Sequence, residues 1–293
     1  MTLPAATRID ALRLAADDVR RVALGVAEEV PVSLVFNELH PYAVMMASPL
    51  DLEDFARGFA VTERIVSTPG NFLGCEVHEV ENGMEIRARI TGADFSRLLH
   101  RGRRAMTGRT GCGLCGVDTI AALEQPVPRL AQGGGVTLDA IRRALASLPG
   151  LQSLNAETHM VHAAAWSLPD GEIVLVREDV GRHNALDKLI GARFAAGQDF
   201  TEGFCLLTSR YSFEMAEKTA IAGMGLVVAV SAPTARALRV AEAAGQTVLA
   251  IARRDSQILF CGSDRIAAAK AAEHGSEPVS RGTSVEPTGQ ATL

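Results

Sequence analysis

The second half of the chain alternates short apolar segments with longer amphipathic segments. The apolar segments that are predicted as strands are residues 173–176, 204–207, 226–230 and 247–251. The segments between them that have the periodicity of helices are residues 185–194, 212–223 and 234–245. This alternation is typical of a parallel or mostly parallel sheet that is covered by helices on both faces. We therefore expect an α/β architecture in this half of the chain.

The first half has a different pattern, which predicts a smaller α+β unit. β-branched and apolar positions predict strands over residues 30–36, 42–46, 75–80 and 84–90. Asn82 and Gly83 lie between the last two strands and form a strong hairpin signal. Leu52, Phe55 and Phe59 recur at helical spacing, so a helix is expected to follow the second strand.

These patterns divide the chain into four predicted parts. They are a flexible N-terminus or weak helix at residues 1–27, an α+β subdomain at residues 28–108, an α/β domain at residues 109–265 and a disordered tail at residues 266–293. Thr137, Ser212 and Thr234 are predicted to cap the N-termini of three helices in the α/β domain.

Composition and charge bound the class of protein. The net charge of −5 argues against a general affinity for nucleic acid. We expect no membrane span, because no apolar run approaches the roughly 18 residues that one requires. Five cysteines without the spacing of a disulfide framework, and a beginning without the apolar core of a signal peptide, predict a cytoplasmic protein with reduced thiols.

Residues 110–116 read Thr-Gly-Cys-Gly-Leu-Cys-Gly and form the most reactive stretch of the chain. Cys112 and Cys115 have C-x-x-C spacing, and the three glycines permit a backbone that exposes both thiols. Arginines precede this thiol loop, and positive charge favours the nucleophilic thiolate, although the same arginines also fit a plain solvated surface. They are Arg101, Arg103, Arg104 and Arg109.

Other functions of a C-x-x-C pair fit the sequence less well. Structural zinc requires two more ligands, which only Cys75 and His78 offer at a plausible position. A thioredoxin-type redox pair is expected at a helix start, where glycines are unfavourable. The zinc deaminase signature is absent, because Gly111 replaces its proline and no H-x-E occurs in the chain. We predict thiolate chemistry, such as sulfur transfer, and no structural metal.

The predicted strands end in polar segments that have the composition of a phosphate site. In an open α/β sheet, the carboxyl ends of parallel strands meet at one edge, where ligands bind. Five arginines fall in these segments beside two capped helix starts, and both features favour phosphate. His183 is interpreted as a hydrogen-bonding residue at a helix start or as a base, and Asp179 as an orienting carboxylate or a helix N-cap. His159 and His162 are strand residues beside a core or line the pocket near Cys112.

Several ordered motifs resemble those of the FdhD family of formate dehydrogenase accessory sulfurtransferases. They are residues 41–51, 109–116, 177–191, 208–215 and 231–234, and the resemblance extends over roughly residues 28–262. It implies a cytidine-deaminase-like three-layer sandwich without zinc, preceded by the smaller subdomain, and a homodimer. It also implies that a cysteine desulfurase loads a persulfide on the thiol loop. The sulfur then passes to the molybdenum of bis-molybdopterin guanine dinucleotide, which formate dehydrogenase requires.

The resemblance assigns roles to residues of this sequence. Cys112 and Cys115 correspond to the family's catalytic cysteines, with Cys112 as the expected persulfide carrier. The candidate cofactor-binding residues, where a guanine nucleotide is also expected to fit, are Arg177, Asp179, Arg182, His183, Ser209, Arg210, Ser231, Thr234, Ile251, Ala252, Arg253, Arg254, Asp255 and Ser256. The alternative functions are a non-catalytic cofactor chaperone and a disulfide oxidoreductase.

Overall fold

The structure is a computed structural model that describes residues 3–100, 106–107 and 126–267. It contains three sheets, of two, five and six strands. Among these residues, no helix combines the length and the apolar character that are needed to cross a bilayer.

The N-terminal segment forms an antiparallel β-hairpin. Its strands are β1 (Ala6–Ala15) and β2 (Asp18–Ala27). The expectation of a weak helix or a loose segment is therefore wrong. Ile9 pairs with Leu24 and Ala11 pairs with Val22, so apolar side chains line one face of the hairpin. This alternation with a period of two competes with the helix propensity of the alanines.

The predicted α+β unit is a five-stranded sheet in the order β5-β6-β3-β4-β7. Its elements are β3 (Val30–Phe36), β4 (His40–Ala47), α1 (Leu52–Thr62), β5 (Phe72–Val80), β6 (Gly83–Ile90), α2 (Gly92–His100) and β7 (Met106–Thr107). The predicted strands and the helix from residue 52 are confirmed. Phe55 and Phe59 of α1 share one buried apolar cluster with Leu34 and Ile86 of the sheet.

The hairpin between β5 and β6 is confirmed, but its turn lies one residue earlier than the sequence suggests. Val80 pairs with Gly83, so Glu81 and Asn82 form the turn, and Asn82 takes a left-handed φ of 63°. Gly83 belongs to β6, where a Cβ atom would lie 2.5 Å from the carbonyl oxygen of Pro31. A glycine is needed there because the neighbouring strand passes so close.

The six-stranded sheet has the order β13-β12-β11-β10-β8-β9. The elements of this half are α3 (Leu138–Leu151), α4 (Ser153–Thr158), β8 (His162–Ser167), β9 (Ile173–Asp179), α5 (Arg182–Ala195), β10 (Phe204–Leu207), α6 (Phe213–Ala222), β11 (Leu226–Ala229), α7 (Ala235–Ala244), β12 (Thr247–Ala250) and β13 (Ile258–Cys261). The sheet is mixed, which corrects the expectation of a mostly parallel one. β8 and β13 run antiparallel to their neighbours, whereas β9, β10, β11 and β12 all run in the same direction.

Helices cover both faces of this sheet, as predicted. Cys205 and Leu207 of β10 pack with α5, α6 and α7, whereas Phe204 and Leu206 pack with α3. Thr137 and Thr234 cap α3 and α7, since their hydroxyls accept hydrogen bonds from backbone amides three residues later. Ser212 occupies the N-cap position of α6 without a side-chain capping bond. The likeness to cytidine deaminases stays a prediction.

The two larger units meet where α1 crosses α5. A Cβ atom on Gly58 would lie 1.8 Å from the carbonyl oxygen of Asp187, and one on Gly191 would lie 1.8 Å from that of Asp54. The contact is reciprocal, so the helices run antiparallel at backbone contact. Only glycine fits at either position.

The folded unit extends slightly further than predicted at its C-terminal end. Ile266 is 2% exposed, and Ala267 N donates to the carbonyl of Val136 at 3.0 Å. Residues 266 and 267 therefore belong to the folded unit and not to a tail that starts at residue 266. Residues 268–293 lie outside the described residues, and the remaining domain boundaries stay predictions.

Candidate functional site

The carboxyl ends of β9, β10, β11 and β12 lie along one edge of the six-stranded sheet, which we call the carboxyl rim. Antiparallel β8 separates β9 from β10 but leaves the direction of β9 unchanged. Thr234 N donates to Tyr211 O at 3.0 Å, and Ile251 N donates to Ser231 O at 3.2 Å. The rim brings together the predicted residues Ser209, Arg210, Ser231, Thr234, Ile251, Ala252, Arg253, Arg254, Asp255 and Ser256.

Arg177 and Asp179 of β9 are engaged inside the protein. The Arg177 guanidinium donates to Asp54 Oδ2 from Nε at 2.9 Å and from Nη2 at 2.8 Å. Asp179 is fully buried, and its carboxylate receives four donors. They are Lys188 Nζ at 2.6 Å, Ser48 N at 3.0 Å, Gly181 N at 2.7 Å and Asn184 Nδ2 at 2.9 Å. This geometry favours a positioning role, and direct contact of either residue with a cofactor stays a prediction.

The first turn of α5 lies at the carboxyl rim. The helix begins at Arg182, three residues before its predicted start, so Arg182 and His183 are both in that turn. Gly181 occupies the N-cap position and provides no side-chain cap. The N-terminus of a helix favours anions, because its first amides point outward and its dipole is positive there. This end of α5 therefore combines backbone and side-chain groups that suit a phosphate.

His162 lies beside this helix start. It is the first residue of β8 and is opposite Asp179 in the antiparallel ladder. Because side chains alternate along a strand, His162 shares a face with Ala164 and Trp166, which pack in the same cluster as α5. The topology thus directs His162 toward the first turn of α5.

The surroundings of His162 disfavour its charged form. Burial lowers the pKa of His162 below its ordinary value, and positive charges act in the same direction. Those charges belong to Arg182, His183 and Arg210, and Asp179 opposes them more weakly. We call His162, Arg182, His183 and Arg210 the cationic cluster. It draws on three separate elements of the fold.

Glu214 in the first turn of α6 borders the cationic cluster. Its Oε2 lies 3.8 Å from His183 Nε2 and accepts a hydrogen bond from Ser212 Oγ at 2.9 Å. Burial acts to raise the pKa of Glu214, but the interactions with His183 and Ser212 outweigh it and lower the pKa. Glu214 is therefore ionised at neutral pH and provides the negative side of this part of the rim.

Ile251 adopts a strained backbone conformation at the rim. Its φ is 51°, in the left-handed region that β-branched residues rarely enter, and its side chain is exposed. Arg253 braces this turn, because its guanidinium donates to Val230 O at 2.6 Å and its N–H donates to Ser256 O at 2.7 Å. Strain of this kind concentrates at ligand-binding sites. The strained residue Ile251 lies within the predicted cofactor-binding segment, residues 251–256.

Cys112 and Cys115 lie outside the described residues, as do the four arginines that precede them. The flanking residues are described. Met106 and Thr107 pair with Ala43 and Val44 of β4, and the carbonyl of Pro126 accepts a hydrogen bond from Arg64 Nη2 at 2.9 Å. β4 continues to the residues that touch α5, since Asn184 Nδ2 donates to Met46 O. Both flanks of the thiol loop are therefore tied to the N-terminal unit that contacts α5.

The described cysteines are poor nucleophiles. Burial raises the pKa of Cys75 and that of Cys261 to about 11 in each case, with nearby carboxylates adding to the effect. Burial also raises the pKa of Cys205. All three are free thiols that stay protonated at neutral pH. Within the described ranges, no three His, Cys, Asp or Glu side chains come together as a metal site, and the absence of a structural metal stays a prediction.

Comparison with known proteins gives the family. The sequence profile of the FdhD/NarQ family matches residues 27–267, which is most of the chain. The chain belongs to the FdhD/NarQ family. It is 44% identical over 270 residues to the sulfur carrier protein FdhD of Bordetella petrii, covering 90% of this chain and 96% of that protein. It is also 44% identical over 241 residues to the sulfur carrier protein FdhD of Cupriavidus necator, covering 82% and 83%.

A solved structure has the same fold as this FdhD/NarQ family member. It comes from Desulfotalea psychrophila and is described as a formate dehydrogenase accessory protein. The TM-score is 0.72 at 21% sequence identity, and the match covers 90% of this chain and 100% of the other. This likeness supports the arrangement of sheets and helices that forms the carboxyl rim.

Sequence reasoning on this FdhD/NarQ family member missed three residues that organise the rim. Glu178 accepts hydrogen bonds from Leu154 N at 2.8 Å and from Asn155 N at 2.9 Å, so it caps α4 from a distant strand. Lys188 and Glu214 lie within helices, where charged residues are common and indicate no particular role. The partners that give them their roles lie on other elements, Asp179 for Lys188 and His183 for Glu214, so no local pattern identifies them.

Proposed function

We propose that this protein is a sulfur carrier that accepts persulfide sulfur on Cys112 from a cysteine desulfurase. The sulfur then passes to the molybdenum of bis-molybdopterin guanine dinucleotide, which is a bound substrate and serves formate dehydrogenase. The observation that carries the proposal is the contrast between the thiols. Burial keeps Cys75, Cys205 and Cys261 protonated, which leaves Cys112 and Cys115 as the remaining thiols of the chain. The names of the relatives agree with a sulfur carrier.

The loading step is a thiol–persulfide exchange. The Cys112 thiolate attacks the terminal sulfur of the donor's cysteine persulfide, a new sulfur–sulfur bond forms on Cys112, and the donor cysteine leaves as a thiolate. Sulfur then leaves Cys112 in one of two ways. It is relayed to Cys115, or the Cys115 thiolate attacks the inner sulfur, so that hydrosulfide departs and a Cys112–Cys115 disulfide remains. A cellular dithiol must reduce that disulfide before the next cycle.

The carboxyl rim is the proposed binding site for the cofactor substrate. Arg182, His183 and Arg210 surround the first turn of α5, where a pyrophosphate finds both cationic side chains and helix amides. A guanine nucleotide alone is expected to occupy the same site. The strained turn at Ile251 and Arg253 borders it. We further propose a cytidine-deaminase-like domain and a homodimer that works in the cytoplasm with the formate dehydrogenase catalytic subunit.

The test is intact-mass spectrometry after incubation with a cysteine desulfurase and L-cysteine, without reductant. The wild type is expected to gain one sulfur, about 32 Da, that dithiothreitol removes. Cys112→Ala abolishes the gain, and Cys75→Ala is the matched control that keeps it. An unmodified wild type beside an active donor contradicts the carrier role. That result favours a cofactor chaperone whose thiols only bind or protect the cofactor.

A further inference from the structure

The cationic cluster contains two histidines, His162 and His183, which can change charge when a ligand arrives. Arg182 and Arg210 stay charged at any physiological pH, but a histidine changes charge close to neutrality. His162 is the half-buried histidine directed at the start of α5. Neither the predicted cofactor-binding set nor the proposed function assigns it a role.

We propose that His162 is a phosphate-binding residue which completes the site of Arg182 and Arg210 and takes up a proton as the phosphate binds. The inference rests on the proposed function, because it names the pyrophosphate of a dinucleotide as the group that the cluster holds. Before a phosphate binds, the neutral imidazole adds no further positive charge beside Arg182 and Arg210. The imidazolium that forms on binding donates a charge-assisted hydrogen bond to phosphate.

The charges around His162 determine the direction of this coupling. Arg182 and His183 face it from α5, Arg210 from the segment before α6, and Asp179 from β9, while Glu214 of α6 faces His183. Burial, and to a smaller extent Arg182, His183 and Arg210, hold the pKa of His162 below its ordinary value. A bound phosphate offsets the positive charges and adds a negative partner, so the pKa rises. Protonation is therefore favoured by the bound state.

Because the pKa of His162 is higher in the complex, the affinity for phosphate depends on pH. Proton uptake on binding means that affinity is highest below the pKa of the free site and falls as pH rises through the pKa of the complex. Each unit by which the pKa rises corresponds to about a tenfold loss of affinity between the low-pH and high-pH limits. Backbone amides and arginines do not titrate in this range, so they predict no such slope.

The probe is diguanosine pyrophosphate, whose phosphates stay fully ionised from pH 6 to 8 and exchange no proton themselves. Binding to the full-length protein is measured by calorimetry in two buffers of different ionisation enthalpy, which gives the number of protons taken up. The wild type is expected to take up a substantial fraction of one proton near pH 7 and to bind about tenfold more weakly at pH 8 than at pH 6. His162→Gln is expected to lose both the uptake and the slope.

Two further variants keep the test specific. His159→Gln changes an exposed histidine beyond the end of α4 and should behave like the wild type. His183→Gln removes the other histidine of the cluster and should retain the proton uptake. Proton uptake that is lost in His183→Gln but kept in His162→Gln overturns the proposal. Thermal unfolding confirms that each variant is folded. Binding without proton uptake, or no binding of the probe by the wild type, also overturns it. Persulfide loading is measured without cofactor, so these failures remain separate from failure of the carrier function.

Discussion

The close crossing of α1 and α5 predicts that one added methyl group will push these two helices apart and weaken the contact between the two larger units. The substitution is Gly191→Ala. Its new Cβ would lie 1.8 Å from Asp54 O and 2.8 Å from Gly58 N, both of them backbone atoms. An ordinary non-bonded contact needs roughly 3.5 Å, so the helices must part by well over 1 Å.

The cost follows from what such a displacement disturbs. Overpacking a well-filled site costs about 1–3 kcal/mol and sometimes more, and here no flexible side chain can yield. Parting the helices also strains two polar contacts that α1 makes with the second unit. These are the half-buried pair of Asp54 with Arg177 of β9 and the buried hydrogen bond from Thr62 Oγ1 to Asp187 Oδ1 of α5, at 2.8 Å in each case. The higher helix propensity of alanine relative to glycine offsets about 1 kcal/mol of this cost. With the upper end of the overpacking cost, the expected net loss in free energy of unfolding is about 2 kcal/mol or more.

Urea unfolding followed by circular dichroism and by tryptophan fluorescence measures this loss. Trp166 is the single tryptophan and lies in the core beside α5, so both probes report on the affected region. The matched control is Gly150→Ala, near the end of α3, where a Cβ atom meets nothing within 4 Å. That variant should be neutral or up to about 1 kcal/mol more stable. A Gly191→Ala protein within 1 kcal/mol of the wild type, with an unchanged m-value, would refute the reasoning.

Two electrostatic predictions follow from the buried charges. Asp179→Asn leaves Lys188 as an uncompensated buried charge, so it should lower the free energy of unfolding, measured in urea, by about 3–5 kcal/mol. The control is Asp51→Asn, which removes an exposed partner of Arg177 and should lower it by less than about 1 kcal/mol. Equal effects of the two changes would contradict this assignment. Burial, with Glu63 and Glu214 adding and Arg64 opposing, raises the pKa of Glu217 from 4.5 to about 7. The folded state holds the extra proton, so stability falls as pH rises from 4.5 to 7. Glu217→Gln should therefore stabilise at pH 8, by about 1 kcal/mol after allowance for solvent screening, and little at pH 5. The exposed Glu202→Gln is the control, and a gain that is the same at both pH values would count against the mechanism.

Local patterns in the sequence were sufficient for most elements of the fold. Hydrophobic periodicity and capping residues act over a few positions, so β3, α1 and α3 could be predicted from their own residues. The same patterns predicted that polar segments follow β9, β10, β11 and β12, and hence where a phosphate site belongs. The N-terminal hairpin escaped prediction because its alternating face is short and interrupted by charges.

Pairing between distant segments was decided only by the tertiary structure. Nothing in residues 162–167 or 258–261 shows that these strands run antiparallel to their neighbours, because strand direction depends on which edge the connection reaches. The carboxyl end of β9 nevertheless lies at the carboxyl rim. The reason is that β9 and β10 are both antiparallel to β8 and therefore run in the same direction.

The roles of the charged residues divide in the same way. The sequence by itself determined that a C-x-x-C pair and several arginines are present, and it identified the strand ends at which the arginines lie. Only the tertiary structure decided that Arg177 and Asp179 turn inward to Asp54 and Lys188. It also placed His162 among the cations. The physical reason is that burial and the electrostatic field at a side chain are set by neighbours many residues away, whereas a motif records only the residue types that are adjacent in the chain.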